Sequence, residues 1–283
     1  MKSISVLLAT YNSSLYLRAQ LDSLFSQTNQ DFKLFIRDDN SSDCTLEILQ
    51  EYQKRYLGRV YIIDNQGRSL RAYNNFVELL SNVNSDYYMF CDHDDIWLPN
   101  KIQISLNRML ELESKNPNTP IVVHTDMKVV DQNLNVICDS FWKYSNLLPD
   151  HTKFEEMVLC NSANGCAMMF NDKAKTVALP NVSFATMHDM LVNQSVAASN
   201  GIISAIKIPA VLYRQHIDNV VGAKKRDLKY YVHKIKNIQI LLKDNVLCYK
   251  NANRIRPISI MSFLFTKIKI FIFKRTVRYE KYE

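Results

Sequence analysis

A mostly parallel, doubly wound α/β sheet is the fold this sequence predicts, and three observations predict it. Strand-length apolar runs alternate with segments of helical period through the first half of the chain. A βαβα order of that kind closes into a parallel sheet with helices on both faces. Polar and acidic residues follow the apolar runs at 10, 38–39 and 92–94, and such sheets bind ligands outside the carboxyl ends of their strands. The composition, 47% hydrophobic and 11% aromatic over 283 residues, suits a folded chain with a substantial core in one domain, or one domain plus an appendage.

Each element follows in order. Residues 4–9 read as a buried strand, and residues 15–25 place Leu17, Leu21, Leu24 and Phe25 at helical spacing. Residues 32–36 form the second strand. Ser42 and Asp43 are the expected N-cap of an amphipathic helix running to Tyr56. A third strand spans 60–63, a helix 70–80 and a fourth strand 87–91. Pro99 sits near the first turn of a helix that reaches Glu113, with Asp95 expected to cap it. Residues 121–137 are strand-like about a polar turn at 131–135, the pattern of a hairpin. Residues 187–198 are helical, and 202–213 give one or two strands around Pro209. Helical stretches near 225–248 and 258–273 close the chain.

The formal charge of +7 is unevenly placed. Residues 224–283 carry 16 Lys/Arg against 4 Asp/Glu, and residues 1–223 carry 19 against 24. The basicity therefore belongs to the C-terminal segment. Six cysteines form no C-x-x-C pair and lie largely in apolar runs, as reduced thiols of a cytosolic protein do. Thr10-Tyr11-Asn12 interrupts the first apolar stretch, so a buried strand fits it better than a signal peptide. Five glycines leave no glycine-rich phosphate loop.

Two acidic constellations carry chemistry. Asp92-His93-Asp94-Asp95 follows the apolar run 87–91, and His188-Asp189 opens a helical segment about a hundred residues later. Asp92 and Asp94, at i and i+2, can share one hard cation such as Mg²⁺ or Mn²⁺, which takes oxygen ligands and bridges to phosphates. A solvated acidic turn is the plainer reading of the same residues. Asp189 serves either as a general base or as a helix N-cap. Asp38 and Asp39 either meet a pyrimidine N3–H or form a turn. His216 either completes a metal shell, contacts a diphosphate or is an ordinary loop histidine. His93, His124, His151 and His233 show no ligand spacing.

The segments SVLLATYN, RDDNSSDCT and FCDHDDIWLPNK resemble, in order, the nucleotide-binding half of the inverting GT-A glycosyltransferases of family 2. NSANGCAMMFN, HDM at 188–190 and LYRQHIDNVVGAKK resemble that family's rhamnosyltransferase-like branch. The resemblance spans roughly residues 3–225. It implies a GT-A catalytic domain over 1–222, with a nucleotide-sugar half at 1–97 and an acceptor half at 98–222, and a basic helical extension over 223–283. It implies that Thr10, Tyr11, Asn12 and Asp39 line the nucleoside pocket, and that Arg71 or its neighbour Arg68 touches the diphosphate. Asp92 and Asp94 match the D-x-D signature; Asp92 would also meet the donor, and His216 would join the metal shell. Gly165, Cys166 and His188 would border the acceptor, and Asp189 would be the base. Many relatives have Glu-Asp where this chain has His188-Asp189.

The expected activity is transfer of one sugar, rhamnose from dTDP-rhamnose or a hexose from a UDP-sugar. The expected acceptor is a glycan or a polyprenyl-diphosphate-linked oligosaccharide in bacterial surface polysaccharide synthesis. A sugar nucleotidyltransferase is the alternative enzyme, but it would want a glycine-rich loop after the first strand, where Ala9-Thr10-Tyr11-Asn12 stands. A non-catalytic glycan- or membrane-binding module is the third reading. The apolar run 258–273 holds Lys267 and Lys269. It is too short and too charged to span a bilayer, and suits either an anionic membrane surface or the catalytic domain as its partner. The expected location is cytoplasmic, peripheral at the inner face of the cell membrane. No nucleic-acid recognition module accompanies the charge.

Overall fold

The computed structural model describes residues 2–216 and 238–276. Its strands are β1 (Ile4–Thr10), β2 (Lys33–Asp38), β3 (Val60–Ile62), β4 (Tyr87–Cys91), β5 (Ile96–Trp97), β6 (Ile121–Val130), β7 (Val136–Cys138), β8 (Met168–Asn171) and β9 (Ile202–Arg214). They join in one sheet of order β3-β2-β1-β4-β8-β6-β9-β5, with β7 beside β6. The first four pair in parallel, β1 lying between β2 and β4. Every residue of β1 and of β4 is buried, which is why both read as continuous apolar runs. β8 runs antiparallel to β4 and to β6 and joins the two halves. β6 and β9 are parallel, with register shifts near Asp126 and Pro209 that keep residues 202–214 one strand.

Helices α1 (Leu17–Phe25), α2 (Thr45–Arg55), α3 (Arg71–Asn82) and α4 (Lys101–Lys115) connect the early strands. Alternation along β1 sends Val6 and Leu8 into one core cluster, and Leu7 and Ala9 into the other. Leu17, Leu21 and Leu24 of α1 join the first cluster, and Phe76, Leu79 and Leu80 of α3 the second.

Two expected caps are corrected. Asp43 lies before the helix N-cap Cys44, where it accepts the amide and hydroxyl of Thr45 and the Ser14 amide. It thereby staples the loops after β1 and β2 together. Asp95 caps no helix, because α4 starts six residues later. It is fully buried and accepts the Arg214 amide at 3.0 Å.

The second half of the chain adds α5 (Phe141–Tyr144), α6 (Phe154–Leu159), α7 (Asp172–Ala178) and α8 (His188–Ala198), with 3₁₀ turns at Gly165–Ala167 and Leu179–Phe184. The hairpin β6–β7 forms where expected, its turn held by Asp131 accepting the amides of Asn133 and Asn135. Helices α9 (Ile238–Ile255) and α10 (Ile260–Thr276) follow; the expected helical residues 225–237 lie outside the described residues, as does His233. α10 buries Phe263 and Ile270, and Lys269 reaches Glu156 of α6 at 3.4 Å. No helix among the described residues is long and apolar enough to cross a membrane.

Candidate active site

The parallel register sets Thr10 beside Asp38 and Leu8 beside Cys91, so three strands end at one level and their loops meet above the sheet. Thr10 Oγ1 donates to Asp38 Oδ1 at 2.8 Å, and Asp38 also accepts the amide and hydroxyl of Ser41. Asn12, in the left-handed region at φ +47°, accepts the Ser42 amide. Asp39 is buried and takes four donors: Arg37 and the Leu70 amide on Oδ1, the Ser69 hydroxyl and the Arg71 amide on Oδ2. Burial raises its pKa, but those four bonds outweigh it and hold the carboxyl below the usual range. Asp39 thus anchors the start of α3 across the loop, a task that its expected place at the nucleoside did not include. Of the two candidate arginines, Arg71 lines the cavity, whereas Arg68 turns to Glu78 at 4.0 Å.

At the tip of β4 the carboxylates diverge. Asp94 Oδ2 meets His216 Nε2 at 2.8 Å, and the Asp94 carbonyl accepts Arg214 Nε at 2.7 Å. Asp92 lies on the inner side with Asp95 and Cys166, their ligand atoms all within 4.8 Å of one another. Burial raises the Asp92 pKa to about 7, with further contributions from the charges of Asp94 and then Asp189. Asp92, Asp94 and Asp189 line one cavity, so the two acidic constellations share one space. Asp92 and Asp94 carry the oxygen donors that a hard divalent cation would take.

Asp189 is the second residue of α8. Its Oδ1 accepts the Met190 amide at 2.7 Å, and its Oδ2 accepts Asn161 Nδ2 at 3.1 Å. Asn161 is itself held by Asn193 Nδ2 at 2.8 Å, which also donates to the Ala163 carbonyl. Burial raises the Asp189 pKa to about 6, against the bonds from Met190, Gly165 and Asn161 that lower it. A carboxyl poised there is ionised at neutral pH yet basic enough to accept a proton.

His188 packs against Phe76 and Phe90, with ring centroids 4.0 and 4.6 Å away. Burial lowers its pKa to about 3, and neither ring nitrogen has a hydrogen-bond partner among the described residues. Gly165 is needed beside it, because a Cβ there would press on His188 Nε2.

A cavity of about 790 Å³ unites these parts. Thr10, Tyr11, Asn12, Asp39 and Arg71 line it from the first half of the sheet. Asp92 and Asp94 line it from the β4 tip, and Gly165, Cys166, His188, Asp189 and His216 from the second half. His93, which showed no ligand spacing, lines it as well, through its place between two aspartates. Sequence reasoning missed Asn161 and Asn193, which carry no motif of their own. It also missed the role of Arg214, whose amide and guanidinium tie the end of β9 to Asp95 and Asp94.

A family model described as Glycosyl transferase family 2 matches residues 5–177. The dTDP-rhamnosyl transferase RfbG of Shigella flexneri is 28% identical over 229 residues, 76% of this chain and 74% of that one. The putative teichuronic acid biosynthesis glycosyltransferase TuaG of Bacillus subtilis is 32% identical over 110 residues, 38% of this chain and 42% of its own length. S. aureus TarS 1–349, crystallised in complex with UDP-GlcNAc, superposes with a TM-score of 0.56 at 18% identity, over 97% of this chain and 81% of that one. The chain belongs to glycosyl transferase family 2, is a glycosyltransferase and has the GT-A fold, its sheet parallel in the first half and mixed in the second.

Proposed function

We propose that this family 2 glycosyltransferase moves a single sugar from a nucleoside-diphosphate donor to a hydroxyl of a glycan or lipid-linked oligosaccharide, with inversion at the anomeric carbon. The observation that carries this reading is the shared cavity, which Asp189 lines together with Asp92 and Asp94. The nucleotide belongs over the ends of β1 and β2, beside Thr10, Tyr11, Asn12 and the Asp39–Arg71 anchor. Asp94 and His216, with Asp92 behind them, are the residues that would hold Mg²⁺ or Mn²⁺.

Asp189 accepts the proton of the acceptor hydroxyl as its oxygen bonds to the anomeric carbon. The bond from that carbon to the diphosphate breaks in the same step, and the nucleoside diphosphate leaves with the electron pair. Arg71 lies on the diphosphate side, where a guanidinium suits phosphate oxygens. A bound divalent cation would stabilise the charge that the leaving group gains. Asn161, fixed by Asn193, orients the base, and Phe76 and His188 line the cavity beside it, with Phe90 set edge-on behind the imidazole.

The likeness to RfbG favours dTDP-rhamnose as donor, with UDP-hexoses next, and the name of TuaG, a putative teichuronic acid biosynthesis glycosyltransferase, supports a place in bacterial surface polysaccharide synthesis. A thermal-shift screen of dTDP-rhamnose and UDP-sugars, with and without Mn²⁺, tests the reading, since a cognate donor stabilises by mass action. One donor should raise the midpoint more with Mn²⁺ than without, and Asp94→Ala should lose the Mn²⁺-dependent part. A flat response to every nucleotide sugar would exclude it.

A further inference from the structure

α10 has two unlike faces. Its inner face is fastened to the catalytic domain. Phe263 lies 5.4 Å from the Tyr249 ring and Ile270 is buried in the core. Lys269 pairs with Glu156 of α6. The outer face carries Met261, Leu264, Phe265 and Ile268 at i, i+3, i+4 and i+7, exposed by 74%, 48%, 71% and 58%, with Ile260 at 57% beside them. These positions form one stripe along a helix. Large apolar side chains exposed elsewhere stand singly, as Leu15 and Leu57 do, or in short runs, as Leu134, Val136 and Ile137 or Val246 and Leu247 do, and such scattered ones need no explanation. A contiguous stripe does.

We infer that the outer face of α10 is a lipid-interfacial surface, seated in the headgroup–acyl boundary of an anionic bilayer. The charge of the segment that contains it selects that occupant. The C-terminal segment 224–283 has 16 Lys/Arg against 4 Asp/Glu, and polybasic stretches are drawn to anionic headgroups. A second copy would bring the same stripe against itself, and so set two strongly basic segments together. A stable dimer also engages about 20–30 residues a side, more than one nine-residue strip supplies. The helix lies on the bilayer, since no described helix is long and apolar enough to span it.

The attachment point gives the surface a purpose. α10 is bolted to α6, and α6 runs through Cys160 into Asn161, which holds the base Asp189. A protein seated by α10 therefore fixes its acceptor half relative to the lipid. This deepens the proposed function and rests on it: the acceptor is a lipid-linked oligosaccharide, presented from the bilayer on which the enzyme sits.

Flotation of the full chain with phosphatidylcholine vesicles, with and without phosphatidylglycerol, tests it. The wild type should float with the anionic vesicles. The combined variant Met261→Ser, Leu264→Ser, Phe265→Ser, Ile268→Ser should partition at least about tenfold less, because four apolar side chains no longer leave water. Its nucleotide-sugar thermal shift should match that of the wild type, since none of the four lines the cavity. In parallel, Phe265→Trp should move its fluorescence to the blue when vesicles are added. Equal partitioning of the quadruple variant and the wild type, or an unmoved tryptophan, would overturn the inference. So would light scattering that shows a wild-type dimer, dissociated by the quadruple variant, with no vesicle binding. Vesicle binding is read without turnover, so its failure leaves the transferase reading standing, and a missing donor shift leaves the lipid surface standing.

Discussion

At the scale of single residues, the site is a set of carboxylates given different tasks by different neighbours. Asp39, with four donors, stays ionised and structural; Asp92 and Asp189, more weakly compensated, are raised to about 7 and about 6. Proton acceptance at Asp189 requires the ionised form, so kcat/KM should fall as pH drops through about 6. Asn161 donates to that carboxylate and stabilises its charge. Asn161→Ala should therefore move the acid limb of the pH profile to higher pH, and a limb that stays in place or moves lower contradicts the assignment. The D-x-D and His-Asp pairs were legible because charged residues after apolar runs are conspicuous. Asn161 and Asn193 were not, since an asparagine becomes informative only once its partner is known. Asp39 was legible as a site residue, but its four donors come from separate stretches of chain and could not be read locally.

At the scale of elements, β1, β2 and β4 were plain in the sequence because a central parallel strand buries both faces and becomes an unbroken apolar run. β8 was hidden, since its four residues follow directly on the turn Gly165–Ala167 and are too few to show a period. The two-residue β5 was hidden for the same reason, and with it the reason why Asp95 points inward. The start of α4 holds a cost of its own. Lys101 is fully buried, its Nζ has no hydrogen-bond partner among the described residues, and it lies 3.4 Å from the Trp97 ring centre. Burial lowers its pKa to about 7, against the pull of Cys166, Cys91 and Asp95. Folding therefore opposes its charged form, a penalty that is complete below about pH 7 and fades as pH rises toward 10.5, where the unfolded lysine also gives up its proton. Lys101→Met should raise the stability measured by urea denaturation by roughly 1–4 kcal/mol, with a smaller gain in alkaline buffer. A destabilised variant at neutral pH would show that the amine has a partner it needs.

At the scale of the whole molecule, one sheet carries both halves of the chemistry. The parallel strands bring the loops after β1, β2 and β4 together, β8 joins the second half of the sheet to β4, and β9 returns His216 to Asp94. The alternation of strands and helices announced the first of these steps. The second and third depend on long-range pairings such as Tyr88 with Phe170, which no local pattern encodes. The C-terminal segment was read as either a membrane-facing or a domain-packed helix; α10 packs one face on the domain and leaves the other exposed. Calorimetry and transfer measured together on Asp189→Asn test the central claim, that the base and the donor site face each other across one cavity. Nucleotide affinity in the presence of Mn²⁺ should stay within about twofold, while transfer falls by about 10²–10⁴. Transfer near the wild-type rate would contradict it.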